Sequence, residues 1–220
     1  MQYVRPFSKY FDHTLLKPEA SSKDISLLCD EARQYEFFSV CVQPHFVPLA
    51  KRLLDQSRVK VCSVVGFPLG QNLTETKAEE ARALSKLGAD ELDMVINVSV
   101  LKENDFSFVQ KDIFAVVHAA PQCLIKVILE TSLLTQDEIA KATEICIASR
   151  AQFVKTSTGF GSRGASIEDV KIMKLAGGDN IEIKASGGIK TLSFAKDLIA
   201  AGATRLGSSS SVKILHEAKL

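Results

Sequence analysis

No stretch of this 220-residue chain approaches the ~18 consecutive apolar residues of a membrane-spanning helix. The start, MQYVRPFSKYF, lacks the apolar h-region of a signal peptide, so neither insertion nor secretion is expected. Charge of either sign is not in excess. A net +1 leaves no electrostatic footprint for nucleic acid or a membrane surface as partner. The five cysteines (Cys29, Cys41, Cys62, Cys123, Cys146) are odd in number, scattered and without a C-x-x-C pair. That pattern argues against a disulfide framework or zinc site and for reduced, buried thiols in the cytoplasm. The four histidines are equally unclustered, and no metal is expected. No linker, low-complexity stretch or charge block divides the chain.

What is present is alternation. Short apolar runs at 11–15, 39–43, 60–66, 91–97, 124–130, 153–157, 181–185 and 204–208 read as strands. Amphipathic stretches lie between them. Ile25, Leu28, Cys29 and Ala32 share a helix face, as do Ala81, Leu84 and Leu87, and Ile139, Ala142, Ile145 and Cys146. Thr135 with Glu138 has the spacing of a capping box, Ser166 with Asp169 a weaker one, and Gly88 and Gly202 fall where helices stop. Eight strand–helix units of ~27 residues use the whole length, the rhythm of a (β/α)8 TIM barrel. A single α/β domain over 1–220 is expected, with a short helix at 5–10 before the first strand. A doubly wound open sheet is the alternative, but no G-x-G-x-x-G follows the first strand to favour it.

Three lysines interrupt apolar strand runs: Lys126, Lys155 and Lys184, spaced 29 residues apart and so expected at similar depth. Strand alternation puts each opposite the apolar residues that must face surrounding helices, and Asp93 likewise opposes Leu92, Met94 and Ile96. The four should therefore converge inside the barrel. One strand lysine alone is most often a snorkelling or edge residue. Three beside an inward aspartate are harder to place that way, although an ion-pair network that merely fills the barrel is a structural alternative. Ammonium groups crowded in a dry site lower one another's pKa, and a lysine near neutrality is a nucleophile for carbonyls. A neighbouring carboxylate can move protons. The set suggests a class I aldolase or relative, without selecting among carbon–carbon lyases.

Two glycine-rich stretches bear on the substrate. Ser186-Gly187-Gly188-Ile189-Lys190 follows the seventh strand, and Gly207-Ser208-Ser209-Ser210 follows the eighth. Such loops aim backbone N–H groups at anions, and phosphate sites in barrels of this kind sit after strands 7 and 8. With Gly159 after the sixth strand, they point to a phosphate monoester held by Gly159, Gly187, Gly188, Lys190, Gly207, Ser209 and Ser210. Either loop alone could be a simple turn or cap.

In order along the chain, FDHTLLKPEA, VCVQPHFVPLAK, VVGFPLG, GADELDMVINV, LIKVILET, FVKTSTGF, IKASGGIKT and RLGSSSS resemble the deoxyribose-phosphate aldolase family of Schiff-base-forming class I enzymes. The resemblance covers nearly the whole chain. It implies that Lys155 forms the Schiff base, that Lys184 keeps Lys155 nucleophilic and relays protons, and that Asp93 is proton donor and acceptor, working through a water. It also implies that Asp12, Cys41, Lys126 and Thr156 line the pocket, with His13 and His45 structural. The family cleaves 2-deoxy-D-ribose 5-phosphate reversibly to D-glyceraldehyde 3-phosphate and acetaldehyde, in deoxyribonucleotide catabolism, without metal or organic cofactor. The expected partner is a small phosphosugar, and a homo-oligomer, dimer or tetramer, is expected. Other readings are a related barrel lyase or isomerase on another phosphosugar, and a non-catalytic phosphosugar-binding protein. The chain departs from some members in having Phe160 where they carry lysine and Lys190 where arginine is common. Its tyrosines (Tyr3, Tyr10, Tyr35) all lie near the start, so a tyrosine tail contact is not expected.

Overall fold

Period-two alternation lets each strand show one face to a helical shell and the other to a closed interior. The computed structural model describes residues 5–218; Tyr3, Lys219 and Leu220 lie outside them. Its strands are β1 (Phe11–Leu15), β2 (Ser39–Val42), β3 (Lys60–Val65), β4 (Glu91–Val95), β5 (Leu124–Ile128), β6 (Phe153–Lys155), β7 (Glu182–Ser186) and β8 (Arg205–Ser208). All pair in parallel and in sequence order, and β8 closes on β1. This is the (β/α)8 barrel. The helices are α1 (Ser22–Gln34), α2 (Val47–Leu53), α3 (Thr74–Lys86), α4 (Val98–Lys102), α5 (Phe106–Ala119), α6 (Gln136–Ala148), α7 (Ile167–Gly177), α8 (Leu192–Ala200) and α9 (Ser211–Glu217). The helix expected before β1 is a single 3-10 turn, Phe7–Tyr10. Among the described residues, no helix is long and apolar enough to cross a membrane.

Local chemistry fixes the helix ends. Thr135 and Glu138 form the expected reciprocal capping box on α6, and Ser21 with Asp24 forms a second on α1. Ser166 accepts from the Asp169 N–H, but the Asp169 carboxylate turns instead to Thr131 and Arg163. Leu87 leaves the apolar face proposed for it. It is the C-cap of α3 and 47% exposed, because the helical period that would bury it ends at Lys86. Several strands also stop one or two residues short of their apolar runs. The residues beyond, such as Thr156–Thr158, leave the strand and carry the chain to the mouth of the barrel, where Thr158 lines the cavity.

The outer core is packed between sheet and helices and includes Leu92, Met94, Ile125, Val127, Val154 and Ile183. Inside the barrel the side chains stack in layers of four from alternate strands, as the shear of eight residues requires. The strand register gives one layer as Cys41, Asp93, Lys155 and Gly207. Beneath it lie Asp12, Cys62, Lys126 and Lys184, and beneath those Ser39, Glu91, Phe153 and Arg205. Equal spacing in sequence is thus not equal depth. Lys155 pairs with Ile128 and Lys184, whereas Lys126 pairs with Phe153. Hydrogen-bond register together with strand tilt, not chain count, sets height, and Lys155 stands one layer nearer the mouth than the other two lysines.

Candidate active site

Asp93 is the hub of the interior. Its Oδ2 accepts from Lys155 at 2.8 Å and from Lys184 at 2.7 Å, and its Oδ1 accepts from Lys126 at 2.9 Å. The Cys62 thiol adds a donor to Oδ1 at 3.2 Å. Strand alternation turns all of these inward from β3, β4, β5, β6 and β7, so the expected convergence of Asp93, Lys126, Lys155 and Lys184 is present. Below, Arg205 donates to Asp12 through Nε at 2.8 Å and to Glu91 through Nη2 at 2.8 Å. Lys126 reaches Glu91 at 2.7 Å. Lys184 stands 2.5 Å from Asp12 Oδ2, an ion pair whose alignment falls short of a hydrogen bond.

The electrostatics differ from simple mutual repulsion of cations. Burial opposes ionisation of Asp93, yet the charges of Lys126, Lys155 and Lys184 overcome it and hold its carboxyl well below the usual range. Asp12 is lowered the same way, against burial, by Arg205 and Lys184. Burial alone would push Lys126 and Lys184 down. Asp93 raises Lys126, and Asp12 with Asp93 raises Lys184, so both are firm ammonium groups. The expectation that crowded lysines depress one another therefore fails for these two, because carboxylates outnumber cations among their nearest neighbours.

A cavity of about 350 Å³ opens above this network at the carboxyl ends of the strands. Of the four interior cations, only Lys155 lines it. Gly159 comes from the loop after β6, Gly187, Gly188 and Lys190 from the loop after β7, and Gly207 and Ser209 from β8 and its loop. Among the described residues, the N–H groups of Gly159, Gly188 and Ser209 find no protein acceptor. Gly187 is required by close approach, since a Cβ there would stand 2.9 Å from Gly164 Cα. Ser210 does not line the cavity. Its N–H bonds to Ser208 Oγ at 2.9 Å, at the start of α9.

Asp12, Cys41 and Lys126 also stop short of the wall. Asp12 and Lys126 belong to the layer beneath, and Cys41 is covered in a small apolar cluster with Leu16, Cys62 and Val64. Thr156 is fully buried. Its hydroxyl donates to the Ser186 carbonyl at 3.1 Å and accepts the Ser186 N–H at 3.0 Å, stitching the β6 loop to the end of β7. His13 pairs with Glu31 of α1 at 2.7 Å, and His45 packs its ring on Phe46, both away from the lysines.

Sequence reasoning missed Thr14, Leu16, Lys17, Ser186 and Ser208 on the cavity wall, and Glu91 and Arg205 in the ionic floor. The last two carried a signal. Glu91 shares its strand face with Asp93, and Arg205 shares its face with Gly207.

Cys41, Cys62 and Asp93 place two Sγ atoms and a carboxylate oxygen within 4.8 Å of one another, spacing that can suit a metal. The Lys126 ammonium already occupies the cation position there, 3.5 Å from Cys62 Sγ and 2.9 Å from Asp93 Oδ1. The donor set is thus engaged by a side-chain cation.

The sequence model of the DeoC/LacD family aldolases matches residues 7–215. The deoxyribose-phosphate aldolase of Staphylococcus carnosus is 52% identical over 210 residues, which is 96% of each chain. Among solved structures, an aldolase called QR15 is 42% identical with a TM-score of 0.93, over 96% of this chain and 95% of that one. The tetrameric deoxyribose phosphate aldolase of Aeropyrum pernix is 34% identical with a TM-score of 0.90, over 96% and 90% of the two chains. A family match that runs from before β1 into α9, across every strand that builds the lysine network, means that the protein belongs to the DeoC/LacD family of aldolases.

Proposed function

We infer that this protein is a class I aldolase that cleaves 2-deoxy-D-ribose 5-phosphate reversibly to D-glyceraldehyde 3-phosphate and acetaldehyde. The observation that carries the reading is that Lys155 alone among the interior cations reaches the cavity while sharing Asp93 with Lys184. The interior holds three carboxylates (Asp12, Glu91, Asp93) and four cationic groups (Lys126, Lys155, Lys184, Arg205). The free amine of a lysine is the form that attacks a carbonyl.

Lys155 Nζ adds to the C1 aldehyde, and loss of water gives an iminium. Removal of the C3 hydroxyl proton lets the C2–C3 bond break, its electrons flowing to the iminium nitrogen and leaving an enamine. Glyceraldehyde 3-phosphate departs. Protonation of the enamine at its terminal carbon and hydrolysis then free acetaldehyde and Lys155. Asp93, ionised and hydrogen-bonded to Lys155 and Lys184, supports a proton donor and acceptor role through a water. Lys184, held protonated, is its proton partner. The unpaired N–H groups of Gly159, Gly188 and Ser209, with the Lys190 side chain, support a phosphate cradle beside the lysine.

Borohydride reduction with acetaldehyde tests the reading. It should leave a reduced two-carbon adduct on Lys155. An adduct on another lysine, or none, sinks the assignment, and absence of product from deoxyribose 5-phosphate would instead favour a lyase or isomerase of another phosphosugar. We further propose a cytoplasmic enzyme working as a homo-oligomer, dimer or tetramer. The five buried free thiols and the tetrameric Aeropyrum pernix relative support this, and light scattering on the eluted protein checks the assembly.

A further inference from the structure

Glu130 is a buried acid outside the ionic floor, and its backbone sits in the left-handed region at φ 53°. A non-glycine residue held there stores strain that surrounding contacts must offset. Those contacts lead to one place. Glu130 Oε2 accepts both the Thr158 N–H, at 3.2 Å, and the Thr158 hydroxyl. Thr158 Oγ1 in turn accepts the Phe160 N–H at 3.0 Å. With its neighbours' N–H groups spent on protein acceptors, Gly159 is left offering its own N–H to the cavity.

The next residue grips the same loop. Thr131 N–H donates to the Thr156 carbonyl at 2.9 Å, and the Thr131 carbonyl accepts from Arg163 at 3.2 Å. Residues 130 and 131 thus hold the segment from 156 to 163 at both ends. The loop also closes tightly over the carboxylate. A Cβ at Gly161 would stand 2.9 Å from Glu130 Oε1.

We propose that Glu130 is a positioning residue for the phosphate of the substrate: its carboxylate fixes Thr158 so that the Gly159 N–H faces the anion. It does not touch substrate. This rests on the phosphate-cradle reading given above. A carboxylate placed near an anion site for its charge alone would weaken binding, so the positioning role predicts the opposite sign on removal.

The test compares wild type with Glu130→Gly and Glu130→Gln on 2-deoxyribose 5-phosphate and on unphosphorylated 2-deoxyribose. Glycine adopts the left-handed backbone without strain, which separates loss of the carboxylate from loss of the fold. Loss of the charged acceptor should raise KM for the phosphorylated sugar, and the inhibition constant of inorganic phosphate, about tenfold or more in Glu130→Gly. The change in kcat, and in kcat/KM on the unphosphorylated sugar, should stay within about twofold. Glu130→Gln, which keeps one acceptor, should fall between. Equal losses on both sugars, no change, or a lower KM would each overturn the inference while leaving the aldolase reading intact. A wild-type enzyme indifferent to the phosphate would remove the cradle itself, and the role of Glu130 with it.

Discussion

Lys155 and Lys184 stand directly opposite each other on β6 and β7 and donate to the same oxygen, Oδ2 of Asp93, at 2.8 and 2.7 Å. One lysine opens onto the cavity and the other is sealed beneath it. That asymmetry supports the proposed division of roles, nucleophile for Lys155 and cation for Lys184, between two side chains of identical chemistry.

Lys155→Ala should abolish the covalent adduct and lower kcat by at least about a thousandfold, because no other interior amine reaches the cavity. Steady-state kinetics with mass analysis of the borohydride-treated protein measure both. Turnover near wild type would mean that another group attacks the aldehyde.

Lys184→Met should be costly in two ways. It strips one partner from both Asp12 and Asp93, and breaking such a buried pair costs about 3–5 kcal/mol. It also removes the cation beside Lys155. Urea unfolding should show the stability loss, and kcat should fall even at temperatures where the variant is folded. A stable, fully active variant would contradict both roles.

The buried pair of Lys77 on α3 and Asp112 on α5, 2.7 Å apart, lies outside the barrel interior and gives a purely structural contrast. Lys77 also donates to the Val95 carbonyl at 3.1 Å, at the end of β4. Lys77→Met should destabilise by about 3–5 kcal/mol, and pairing it with Asp112→Leu should recover most of the loss. Chemical denaturation of the three variants reads this directly; a double variant as unstable as the single one would refute it.

Stability against pH should have one limb inside the physiological range. Asp12 and Asp93 are depressed when folded, so their contribution is present above about pH 3.9 and lost only as pH falls through their lower folded values. Lys126 and Lys184 are raised, so theirs is complete below about pH 10.4 and lost on going higher. His13 is depressed, chiefly by burial, and its contribution is lost as pH falls below about 6.5 through its folded value. Burial pushes the Cys29, Cys62, Cys123 and Cys146 thiols up, so their contribution is lost as pH rises above about 8.5. Urea midpoints should thus be level from about pH 7 to 8.5 and, on the acid side, begin to fall near 6.5. In His13→Asn that first decline should vanish, and its persistence would assign the limb to another group.

Strand identity and strand face were legible because period-two alternation survives in the sequence: Leu92 and Met94 against Asp93, or Ile183 against Lys184. Depth was not, since register is set by hydrogen bonds between strands far apart in the chain. That is why Lys126 was placed level with Lys155. The pocket wall was half legible. Glycines announce where backbone can approach an anion, but Thr156 and Ser210 carry the same small hydroxyl chemistry as true lining residues and differ only in what they face. Glu130 gave no warning at all, because a left-handed backbone at a glutamate is a product of tertiary contacts and not of local propensity.

The stacking of the barrel interior separates two traits by height. The interlocked charges fill the three layers beneath the rim, with Lys155 and Asp93 in the uppermost, and there any single exchange strands a partner. The rim of the cavity is built by Thr14, Leu16, Phe160, Ser186 and Lys190, none of which takes part in the charge network. Substrate preference in this scaffold can therefore drift, or be redesigned, one rim residue at a time without disturbing the machinery that makes and breaks the carbon–carbon bond.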